Sequence, residues 1–220
     1  MLALRRLYPL VACAGIAVAV GSMVVGQVVA TTHSDPFALT IGEYAAVEGN
    51  GTTELAMISL AVASLALVAG LRAARAPLGT AVERLLAVWS GALTVMAFVP
   101  AGVPGSAGAL DDWMRDQVHG YASAVAFVAL PVAGALMVTR LGEDERWKAV
   151  ARPVEWLALA CGFGLVAVTY VALPGDRVFI GLAEWVLLAA EIALVAVLAV
   201  RLAHLSRAGR TARASQAALG

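Results

Sequence analysis

Apolar residues gather in six long stretches along this chain, near residues 8–31, 53–72, 84–103, 118–139, 153–173 and 179–201. Each supplies the roughly 20 residues that a helix needs to cross about 30 Å of hydrocarbon. Lipid offers no partner to an unpaired backbone N–H or C=O, so spans of this length have to be helical. The pattern predicts an all-α, polytopic membrane bundle of six transmembrane helices over residues 1–205, followed by a short basic tail over 206–220. That tail is polar and Ala-rich and reads as a frayed helix end lying close to anionic headgroups.

Pro153 opens the fifth span, where its missing N–H is harmless. Pro131 falls mid-way along the fourth and is expected to free the carbonyl of Phe127. Gly91, Gly162 and Gly164, with Ser90 and Thr94, offer small surfaces for close helix contact.

Composition agrees with this pattern. Of 220 residues, 61% are hydrophobic and only 14% charged, with a mean hydropathy of +0.87, whereas a soluble domain carries about 25% charged residues. The formal net charge is zero, but its distribution is uneven. With a cytoplasmic N-terminus, thirteen of the fifteen basic residues fall inside, and only Arg115 and Arg177 are left outside. That asymmetry places both termini in the cytoplasm of a plasma membrane. The run from Leu10 to Ala30 is longer than the apolar core of a secretory signal, so the first span is expected to be retained. Nothing resembles a basic nucleic-acid-binding face. Cys13 and Cys161 both lie in apolar runs and read as buried thiols.

The candidate chemistry is acidic and lies towards the outside. His33, Asp35, Glu43, Glu48 and Glu54 lie between the first two spans or at the edge of the second, and Asp111, Asp112, Asp116 and His119 between the third and fourth or at the edge of the fourth. A helix beginning near Asp112 would put Asp112, Asp116 and His119 on one face, where two carboxylates and an imidazole form a weak metal-site or acid/base candidate. No nucleotide-binding loop or nucleophile elbow is present, and no cofactor is called for.

The last stretch, FIGLAEWVLLAAEIALVAVLAV, carries two acids, Glu184 and Glu191. They are seven residues apart and so share a helix face. Glu184 lies about one turn below the outer surface, and Glu191 about 15 Å further in than residue 181. An acid at that depth costs on the order of 2.5–3.5 kcal/mol and calls for protonation, a partner or water. No Lys or Arg lies at mid-span, so the expected state is a neutral Glu191 hydrogen-bonded to Ser22, Ser64, Ser90, Thr94 or the carbonyl freed by Pro131.

Three stretches together resemble the DUF998 family of six-helix bacterial and archaeal membrane proteins. IGEYAAVEGNG (41–51) is similar to the family's region after the first span. FVPAGVPGSAGALDDWMRDQVHGYASAVAF (98–127) is similar to its Phe-Pro loop followed by a His, here His119. FIGLAEW (179–185) resembles its Gly-Leu-x-Glu-Arg step through Gly181, Leu182 and Glu184. The chain departs from the pattern at Trp185, where the family has Arg, and in lacking an Asp after the Phe-Pro step. The resemblance implies six spans and a role for His119 and Glu184, but no reaction.

The function expected from these residues is binding or moving a small molecule or lipid through a polar cavity open to the outer face. Glu43, Asp112, Asp116, His119 and Glu184 would line it, with Glu191 below. The alternatives are a membrane enzyme using Asp116 and His119, with or without metal, and a non-catalytic scaffold or assembly partner. The expected partners are the lipid bilayer and a small-molecule or lipid ligand, with homo-oligomerisation if a conduction path is needed.

Overall fold

The structure, a computed structural model, describes residues 2–29, 37–49, 51–102 and 110–219, and their side chains except at 2–6, 48, 110–112 and 209–219. His33 and Asp35 lie outside the described residues, as do the side chains of Asp111 and Asp112. The elements are α1 (Leu2–Val29), α2 (Ile41–Glu48), α3 (Thr52–Ala73), α4 (Thr80–Phe98), α5 (Leu110–Glu143), α6 (Lys148–Ala172) and α7 (Ile180–Leu219). All but α2 are long and apolar enough to cross a membrane, and no strand occurs among the described residues.

The helix boundaries differ from the apolar stretches for local reasons. α4 ends at Phe98 rather than near residue 103, because Pro100 pushes Val99 into an extended conformation (φ −122°, ψ 80°). α5 begins at Leu110, eight residues ahead of the apolar stretch, since LDDWMRDQ is polar but still helical. α7 continues through the tail to Leu219. The short α2 was not expected at all. Thr40 and Glu43 form a capping box at its start, and Gly49 closes it in the left-handed conformation (φ 59°).

Each long helix packs on its neighbour in the sequence, and α7 returns to α1, so the six form a closed ring. α2 rests on α3 and α7 at one end. Close approach depends on glycines at four crossings. A Cβ at Gly15 would meet the Ser59 carbonyl and Ala63, and one at Gly70 would meet Leu202 and Tyr8. Gly134 faces Leu194 and Ala158, and Gly164 faces Leu187. Gly91 and Gly162, expected to serve the same purpose, face open space instead. α5 passes through Pro131 as a single helix.

Arginines fasten the end opposite α2. Arg140 donates to the Leu78 carbonyl at 3.0 Å. Arg146 donates to the carbonyls of Ala74 and Arg75, each at 3.3 Å, and pairs with Asp144 at 2.9 Å. Arg201 in turn donates to the Arg146 carbonyl. Two connections, α3–α4 and α5–α6, are thereby tied to each other and to the lower part of α7. Gly79 sits under the Arg140 guanidinium with φ 77°, and a Cβ there would overlap it. Gly79→Ala is therefore expected to lower stability by about 1–3 kcal/mol. Thermal unfolding in detergent, beside Gly91→Ala as an unhindered control, checks this.

Candidate functional site

At the α2 end, acids of the sequence hold backbone and loops in place. The Glu184 carboxylate, near the start of α7, accepts the Ile41 N–H at 2.8 Å. Glu43 accepts the Thr40 N–H at 2.9 Å, while its own N–H donates to the Thr40 hydroxyl at 3.1 Å. Arg177, in the α6–α7 loop, donates to both Glu43 oxygens at 2.7 Å. Asp176, Arg177 and Phe179 all adopt positive φ (48°, 62° and 61°), a left-handed run that non-glycine residues avoid. The ion pair with Glu43 and the Gly181 N–H to Phe37 carbonyl bond (3.1 Å) hold the loop there. Burial opposes ionisation of Glu43, but the Thr40 amide, the Arg177 guanidinium and the Thr40 hydroxyl outweigh it and hold the carboxyl below its ordinary value.

Across the mouth, α5 secures the exit of α4. His119 Nδ1 donates to the Val99 carbonyl at 2.8 Å. Asp116 accepts the Gly102 N–H. Two glycines make these contacts possible. A Cβ at Gly42 would lie 2.5 Å from His119 Nε2, and one at Gly102 would lie 2.9 Å from an Asp116 oxygen. Asp116 and His119 do share a face of α5, but both are engaged with backbone over residues 99–102. Among the described residues no group of three His, Cys, Asp or Glu could hold a metal ion. The third member of the expected trio, Asp112, has its side chain outside the described residues.

Behind the mouth lies a cavity of about 900 Å³ inside the helix ring. Glu43, Asp116, His119, Glu184 and Glu191, five of the six residues singled out from the sequence, line it, as does Arg177. Apolar side chains such as Met57, Leu93, Met96, Phe127 and Leu188 form the rest of the wall. Glu191 is only 1% exposed, and its Oε1 has no hydrogen-bond partner. Three of the hydroxyls expected to satisfy it are directed elsewhere. Ser64 bonds the Leu60 carbonyl, Ser90 that of Leu86, and Thr94 that of Ser90, each four residues back in its own helix. The polar group that does face Glu191 is the Trp89 indole. It closes no hydrogen bond of normal geometry, since Trp89 Nε1 is also without a partner.

The three stretches that resemble one family meet at this mouth. Residues 41–43 touch 184 and 119, and 99–102 touch 116 and 119. A family model described as a protein of unknown function (DUF998) matches residues 11–201. The chain belongs to the DUF998 family. No curated protein and no solved structure matches it. In this DUF998 protein Trp185, where the resemblance implies an Arg, is part of the cavity wall. The cation at the mouth comes instead from Arg177, which the sequence reading set aside as an exception to the charge asymmetry. That exception was itself the signal, because an arginine on the arginine-poor side needs a local partner. Trp89 had no comparable signal, as an indole within an apolar run reads as core.

The Glu43–Arg177 pair gives a pH signature with a definite sign. Because folding depresses the Glu43 pKa, its stabilising effect is present above the ordinary carboxylate range of about 4 and is lost as pH falls through the lower folded value. Glu43→Gln should remove that acid-side step in the melting temperature. Arg177→Ala should cost at most about 1 kcal/mol at neutral pH, since the Arg177 side chain is 53% exposed. Melting curves of the three proteins between about pH 3 and 7 test both statements.

Proposed function

We propose that this integral membrane protein binds, and through that binding moves or senses, a small molecule or lipid held in the cavity at the α2 end. The observation that carries this reading is Glu191, a buried carboxyl with an unpartnered oxygen on the wall of a large cavity. An unpaired acid in a span is costly and tends to mark a ligand or ion path. A group that only held helices together would close a hydrogen bond of normal geometry to another helix, and the Trp89 indole that faces Glu191 closes none. The polar mouth would orient a ligand and the Met-, Leu- and Phe-lined wall would hold its apolar part.

The same reading includes an orientation. With thirteen of fifteen basic residues on the side of the arginine clasp and the two termini, that side faces the cytoplasm of a plasma membrane and the cavity opens outwards.

Native mass spectrometry of the detergent-purified protein tests the proposal directly. The wild type should carry a bound small molecule or lipid that Glu191→Gln loses. Two bare spectra of equal stability would instead leave Glu191 a structural residue. A second measurement separates these roles. If the acid serves a ligand, Glu191→Leu should raise the melting stability of the empty protein, by about 1–3 kcal/mol, because it removes an unsatisfied polar group at similar volume. Lower stability would argue for a structural acid.

A further inference from the structure

The cavity is unbalanced in its chemistry and open on one side. Its acceptors exceed its donors. Asp116 and Glu184 each receive one backbone N–H, and Glu191 Oε1 receives nothing. The guanidinium of Arg177 is bound by both oxygens of Glu43. A ligand completing this site would therefore bring donors, and preferably a positive charge, to the Glu191 carboxyl.

Besides the mouth at the α2 end, the cavity has a lateral opening between α5 and α6. Along α5, Asp116, Gly120, Ala124 and Val128 recur every fourth residue, and all four line the cavity while remaining exposed. At 1.5 Å per residue this edge is about 18 Å long. On α6, Thr169 and Leu173 are likewise both cavity-lining and exposed, and the buried residues of that helix stop at Gly164. Nothing lies within 4 Å of a Cβ built on Gly120. The slit runs along the lipid-facing side of two spans, so an alkyl chain can enter from the bilayer and lie in it without leaving an apolar medium.

We propose that the cavity takes a single-chain alkylamine amphiphile, with its amino group at Glu191 and its chain in the α5–α6 slit. This rests on the cavity being a ligand site, and it names the ligand class. An ammonium beside a carboxylate and an amine beside a carboxylic acid are both net neutral, so the pair can enter a low-dielectric site without an uncompensated charge. A fatty acid would instead bring a further carboxyl to a wall that already carries four, those of Glu43, Asp116, Glu184 and Glu191. A long-chain alcohol would use the slit but leave Glu191 with a single neutral donor.

The test uses the full chain in neutral maltoside micelles with three probes of equal length: dodecylamine, dodecan-1-ol and dodecanoate. Trp113 and Trp185 line the cavity, so saturable changes in intrinsic fluorescence report binding. Dodecylamine should bind about ten- to a hundredfold more tightly than dodecan-1-ol, the range expected for a charge-assisted over a neutral hydrogen bond. Glu191→Gln should bring the amine to within a few-fold of the alcohol, a ratio of about three by the same relation. Gly120→Phe, which fills the slit, should weaken all three probes. The wild-type ranking decides the matter even if a variant fails to fold. Alcohol or dodecanoate binding as tightly as the amine overturns the ligand class while leaving the cavity a binding site. Full amine preference in Glu191→Gln overturns the assignment of the amino group to that residue. Absence of saturable binding by any probe overturns this proposal, while a bound mass in the native spectrum would still uphold the reading it rests on.

Discussion

A single carboxylate, Glu184, joins the early part of the chain to its last span. An eight-residue helix such as α2 is too short to persist in isolation. It stands because Glu184 accepts the Ile41 N–H at its first turn, where the helix end favours negative charge, and because Glu43 is gripped by Arg177. Once α2 is seated, Gly42 lies against His119, and His119 holds the Val99 carbonyl where Pro100 has ended α4. The mouth is thus a relay of contacts running from α7 to α2, to α5 and to α4. Glu184 and His119 each meet one backbone group that the bilayer would leave unsatisfied.

Six spans could be read from the chain because apolar length has one solution in lipid. Helix ends could not, since hydropathy is blind to polar residues that remain helical, as over 110–117 at the start of α5. The cap of α2 was visible in principle: Thr40-Ile-Gly-Glu43 has the spacing of a capping box, but it was hidden among loop residues. The site divides in the same way. Glu184 and Glu191 were legible as outliers against an apolar background, and Glu43, Asp116 and His119 as the polar residues of the connecting segments. What surrounds them was not legible. Serine and threonine in a span satisfy themselves on the carbonyl four residues back, so their presence at the right depth does not make them partners for an acid. Which indole or guanidinium comes near depends on helix rotation, which a single sequence does not encode locally.

The family likeness gains physical content from this geometry. Three stretches, separated by about fifty residues of sequence, are neighbours at one end of the ring. Each contributes something another lacks: a free N–H at Ile41, an exposed carbonyl at Val99, a carboxylate at Glu184. Trp185 adds an aromatic surface to the cavity wall.

The arginine clasp has a mechanical consequence. A bundle pinned at one end and hollow at the other does not deform evenly. Guanidinium-to-carbonyl bonds from Arg140, Arg146 and Arg201 act as a clamp at the base of α6, whereas beyond Gly164 that helix has no buried residue. α6 is in effect a cantilever. Its far end is held only through the turn that carries Arg177, so a small tilt at the clamped root widens the gap to α5 most where the cavity begins.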